Sequence, residues 1–215
     1  MSEEENKKPE ENKKPDEQQG LDIQGHIKIF DPETDEVYVD KKNAIHYENF
    51  SVALAKSIAN RTTGFIEEMH FGNGGTAVDT TGAITYLTPN AKGDNANLYN
   101  KTYYKSINDQ SALNTDTARN KITVAHTNGT TYTDLIVTCL LDFGEPAGQQ
   151  AFDNTTTVND TYVFDELGLF SWEGTAGSGK LLTHVIFHPV QKSLNRLIQI
   201  DYTIRIQSLT NFVDV

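Results

Sequence analysis

Cysteine is almost missing from this chain. A single one, Cys139, excludes an intramolecular disulfide. It falls in an alternating stretch, where a buried free thiol is expected. Long apolar runs are missing too: none approaches the ~18 residues of a membrane span, and the first residues are charged and polar, so neither a membrane helix nor a signal peptide is expected. Positive charge is scarce. Eighteen basic residues stand against thirty acidic ones, a net charge of −12. Phosphate contacts need clustered Lys and Arg, so direct nucleic-acid binding is not expected. The acidity serves solubility and self-avoidance, or docking on a basic partner. Sequons recur, for example at Asn49, Asn60 and Asn128. Without a secretion signal they imply no glycans, and a cytoplasmic origin is expected.

Thr and Asn crowd the middle of the chain, a composition that suits exposed β-structure and turns. Residues 1–20 are low in complexity. The hexapeptide Glu-Glu-Asn-Lys-Lys-Pro occupies 4–9 and again 10–15. With no aromatic or β-branched residue before Gly20, the segment cannot bury enough surface to offset its ordering entropy. It is expected to be a disordered N-terminal arm, or one that orders along a neighbouring subunit. Residues 21–215 then form a single domain, long enough to bury a core.

The strongest pattern lies late. Ile198, Ile200, Tyr202, Ile204 and Ile206 alternate with Gln199, Asp201, Thr203 and Arg205. A period of two is a strand with one face buried. Residues 181–188 read as another strand, 189–195 as a turn, and the two strands as a closing hairpin. Further strands are expected at 21–29, 37–39, 65–71, 83–87, 121–126, 131–143, 162–164 and 167–172. Turn chemistry marks 31–35, 72–75 and 174–179. One helix is expected near 48–61, from Phe50, Leu54 and Ile58, with Asn49 as N-cap and Gly64 as terminator. Residues 90–120 read as a long loop excursion, a common place for binding. The expected fold is mainly β: an antiparallel β-sandwich, jelly-roll-like, with one packed α-helix.

No catalytic set, cofactor or metal is expected. Gly174, Gly179 and Lys180 match the positions of a phosphate-binding loop, but Leu181 stands where Ser or Thr should hold magnesium, and a strand follows where a helix is needed. A glycine hairpin turn is the better reading. His184 and His188, four apart on a strand, lie roughly 13 Å from each other, too far for one ion. Asp31, Glu33 and Asp35 lack the glycine and distal glutamate of an EF-hand. The pairs Glu67/Glu68 and Asp165/Glu166 point to opposite faces of their strands. Tyr103, Tyr104 and Trp172 are the candidate contact residues: with Tyr162 they form a sugar-binding platform, or else they are core caps or subunit contacts.

Three segments together resemble virion structural proteins of tailed bacteriophages: Ala-Ile-His-Tyr-Glu-Asn-Phe-Ser-Val-Ala-Leu-Ala at 44–55, Phe-Gly-Asn-Gly-Gly at 71–75, and Leu-Thr-His-Val-Ile-Phe-His-Pro at 182–189. The resemblance implies a non-enzymatic β-sandwich assembled in many copies inside the host cytoplasm. Its partners would be portal, neck, tail or capsid subunits, with the neck, collar or tail region ahead of head decoration. A carbohydrate- or receptor-binding module is the alternative.

Overall fold

The computed structural model describes residues 20–147 and 162–209. The arm before Gly20 and most of the loop expected at 144–159 lie outside the described residues. The chain runs β1 (Leu21–Phe30), β2 (Val37–Ile45), α1 (Tyr47–Ile58), β3 (Ile66–Gly72), β4 (Thr76–Val78), β5 (Ile84–Tyr86) and β6 (Lys101–Ser106). It continues through β7 (Lys121–Ala125), β8 (Tyr132–Leu141), β9 (Val163–Ser171), β10 (Thr183–Gln191) and β11 (Ile198–Ser208). Nine strands form one curled antiparallel sheet in the order β6-β3-β9-β10-β2-β1-β11-β8-β7, while β4 and β5 make a small separate hairpin. The fold is thus mainly β and sandwich-like, with one helix.

The curl brings the two halves of the sheet face to face. Ile27, Val137, Cys139 and Tyr202 from one half share a single core with Met69, Phe71, Leu167, Leu169 and Val185 from the other. The period-two pattern of β11 is realised: Ile198, Ile200, Tyr202 and Ile204 are buried. Burial pushes the Cys139 thiol up to about 12, which keeps it unionised.

The closing hairpin is not formed. β11 pairs with β1 over ten residue pairs and with β8 over ten more. β10 pairs with β9 and β2 instead. The reason is burial: β11 has an apolar face that needs neighbours on both edges, and β1 and β8 supply them. Nor does a turn begin at Pro189. β10 runs on to Gln191, and the missing N–H of Pro189 is tolerated because pairing with β9 is irregular between Ile186 and Val190.

The helix is shorter than expected and capped differently. His46 is its N-cap, with Nδ1 accepting from the Asn49 N–H. The Asn49 side chain instead donates to the Leu181 carbonyl at 3.0 Å, tying the helix to the start of β10. Asn60, at φ +50°, ends the helix rather than Gly64. Its N–H donates to Ser57 and that of Arg61 to Lys56, the reciprocal pair of a Schellman motif. Ile58 is 79 % exposed. Two steps of four residues carry a side chain about 80° around a helix of 3.6 residues per turn, off the face that Phe50 buries.

Candidate functional site

The polar chemistry of the described residues gathers on the face of β3, β9 and β10 turned away from the core. Alternation sends Met69 and Phe71 of β3 inward, and Glu68 and His70 outward. Register sets His70 opposite Gly168 and Gly72 opposite Glu166 on β9. Gly168 is needed there, since a Cβ would meet the Thr183 carbonyl at 2.3 Å. His184 of β10 completes the row. Loops from 73–100 and 174–180 lie over this face, so Glu68, His70, Glu166 and His184 are all buried.

Glu166, Asp165 and Glu68 hold the backbone of these loops. Glu166 Oε1 accepts from the N–H groups of Gly74 at 3.1 Å and Asn100 at 2.8 Å. Its Oε2 accepts from the Tyr99 N–H at 2.9 Å and His184 Nε2 at 3.0 Å. Four donors fill the four lone-pair sites of the carboxylate. Burial alone would raise the Glu166 pKa, but these bonds win and hold it below the usual carboxylate range. Asp165 accepts from the N–H groups of Gly75 and Thr76 and from the Thr76 hydroxyl. Glu68 accepts from the Gly177 N–H and pairs with His70 Nε2 at 2.7 Å.

Backbone groups orient the rings of His184 and His46 in the same way. The Asn90 N–H donates into His184 Nδ1 at 2.7 Å, so the proton sits on Nε2 and goes to Glu166. His46 accepts from Asn49 at Nδ1 and donates from Nε2 to the Gly93 carbonyl. His70 stacks on Phe170 with centroids 3.7 Å apart. Burial is the main cause that lowers its pKa. This set has the residue types of an acid–base site; its carboxylates bond both the histidines and the loop backbone, and His70 Nδ1 is buried without a hydrogen-bond partner.

The glycine loop before β10 shows the same trade. Gly177 turns its N–H toward a carboxylate, Glu68, rather than toward a phosphate. Lys180 is held by Asp94 at 2.8 Å and Asn95 at 3.0 Å, and the chain enters β10 rather than a helix. The loop joins the antiparallel neighbours β9 and β10. His184 is buried on Glu166, whereas His188 is exposed beside Tyr86. Asp31 spends Oδ1 on the N–H groups of Glu33 and Thr34 inside its own turn.

The expected aromatic contact residues do not form one platform. The 90–120 stretch is not a single loop, because β6 lies within it and pairs with β3. Its alternation sends Tyr103 inward onto Phe71 and Tyr104 outward onto His70. Burial raises the Tyr103 pKa well above the ordinary phenol value. Trp172 lies elsewhere, at the end of β9, in the wall of a different feature. Tyr162 sits at the start of β9.

That feature is a groove of about 940 Å³ between α1, the 108–113 loop and the β7–β8 end of the sheet. Phe50, Leu54, Phe65, Ile122, Val124 and Trp172 make it largely apolar. Glu67 is buried in its wall and held by the Ser106 hydroxyl at 2.7 Å and the Asn108 amide at 3.1 Å. Comparison with protein-family models, curated proteins and solved structures gave no match. The groove was not legible in the sequence, since its walls come from seven separate stretches. The one available signal was Val124, an apolar residue in a strand too short and polar to bury it.

Proposed function

We propose that the chain is a non-enzymatic structural protein that acts through contact surfaces in a multi-copy assembly. The observation that carries this reading is the use of the buried acids. Glu68, Asp165 and Glu166 are bonded to the backbone of overlying loops, a use of carboxylates that supports a structural role for this face. The apolar groove and the two open sheet edges among the described residues are contact features of the kind an assembly subunit needs.

Within this reading the assembly is the particle suggested by the sequence resemblance, a tailed-phage virion, with neck, collar or tail positions ahead of capsid decoration. The arm before Gly20 would add attachment when it orders on a neighbour. The test is particle incorporation. The full chain should co-sediment with purified particles, and deletion of residues 1–19 should reduce its copy number without lowering its melting temperature. A chain found only in the soluble fraction, or one incorporated equally with and without the arm, would count against the virion setting and the arm respectively.

A further inference from the structure

The sheet ends at β7, and among the described residues nothing pairs with its outer side. The Ile122 N–H points away from β8, to Asp109 Oδ1 at 3.1 Å. In an antiparallel ladder alternate residues turn both backbone groups the same way. Val124 therefore turns its N–H and C=O outward as well. The residue is 69 % exposed at the groove, next to that open edge. An exposed apolar residue on an unpaired strand is a template for strand addition.

We infer that β7 pairs with β7 of a second copy, antiparallel, about a two-fold axis through Thr123. The inference rests on the assembly reading and names one of its contacts. The five-residue sequence Lys-Ile-Thr-Val-Ala is self-complementary in this register. Ile122 faces Val124 of the second copy and Lys121 faces Ala125, so apolar meets apolar and no like charges are opposed. Ile122 and Val124 are also the residues whose backbone groups face outward. They form the hydrogen-bonded pairs, and Thr123 meets its own copy at a non-hydrogen-bonded position, with Cα atoms about 4.5 Å apart. The net charge of −12 does not oppose this seam at short range, because β7 contains no acid. Pairing covers Val124 and brings the rims of the two grooves together. Asp109 is exposed and guards the edge in the free chain; on pairing, the Ile122 N–H exchanges this carboxylate for a carbonyl of the second copy.

The test is sedimentation equilibrium of the full chain across a concentration series, with cysteine cross-linking to read the register. Wild type should dimerise. Val124→Lys should raise the dissociation constant by at least about tenfold while its melting curve stays cooperative, and Asp109→Ala should lower it. Thr123→Cys should form a self-linked dimer on mild oxidation, and Val124→Cys should not; Cys139, fully buried, contributes no background. A wild type monomeric throughout, a dissociation constant unmoved by Val124→Lys, or better linking through Cys at 124 than at 123 would overturn the seam. Assembly that survives Val124→Lys unchanged would remove this contact and leave the structural reading standing. A monomer that enters no particle would remove both.

Discussion

At the scale of single residues, the carboxylates decide how the loops are held. Glu166 gives up solvation and is compensated by four donors, three of them backbone N–H groups from two separate loops. Glu166→Gln keeps the shape but replaces a charged acceptor by an amide whose NH₂ faces donors. Hydrogen bonds to a charged group contribute about 1.5–3 kcal/mol. The expected loss of stability is about 2–4 kcal/mol, read as a lowered midpoint in urea. A loss below about 0.5 kcal/mol would show that the loops are held by something else. His70 adds a dependence on pH. Its folded pKa lies below the ordinary 6.5, so the unfolded chain takes up a proton first. Stability is therefore full above that value and falls as pH drops below it. Glu166, also lowered, loses its contribution further down, as pH falls through and below the ordinary 4.5. His70→Phe keeps the stack on Phe170 and should remove the upper limb of the decline in melting temperature between about pH 6.5 and 5, leaving the lower limb. An unchanged upper limb would shift responsibility to another histidine.

At the scale of elements, period-two alternation and turn residues were enough to find β1, β2, β8 and β11, because each has one buried and one wet face. They could not say which strands would be neighbours. β10 and β11 are close in sequence, yet two strands lie between them in the sheet. Partner choice is set by three-dimensional burial, which adjacency in the chain does not encode. The helix was legible through Phe50, but its ends were not. His46 is a less common cap than Asn, and it qualifies here because its far nitrogen reaches Gly93. The outer polar face was seen only as separate acids and histidines, since Glu68 and Gly177 lie 109 residues apart. Gly168 is a test at this scale. Gly168→Ala pushes a methyl against the Thr183 carbonyl where β9 meets the β10 entrance. Backbone cannot move aside cheaply, so a cost of about 1–3 kcal/mol is expected. The exchange protection of the Leu169 and Leu182 amides, which bond across this point, should fall with it. A variant as stable as wild type would mean that the two strands have room to part.

At the scale of the whole molecule, the order of the strands makes β11 the keystone of one half of the sheet. The strand is the last described one, and it separates β1, the first, from the β7–β8 hairpin. Its Ile198, Ile200, Tyr202 and Ile204 are each at most 2 % exposed. Fully burying an isoleucine side chain contributes about 1.5–3 kcal/mol, so the three isoleucines alone contribute about 4.5–9 kcal/mol. That is comparable with the whole net stability of a domain, about 5–15 kcal/mol. A chain cut after residue 197 should therefore not fold, although every other strand is intact. If instead β10 and β11 formed an independent hairpin, the cut would peel off an edge and leave a cooperative core. The two cases separate by far-UV circular dichroism and amide dispersion in NMR. Supplying residues 196–209 as a peptide should restore a melting transition that depends on peptide concentration, since β1 and β8 present a vacant slot with a defined register. A truncated chain that melts cooperatively without the peptide would show that the sheet closes without its keystone.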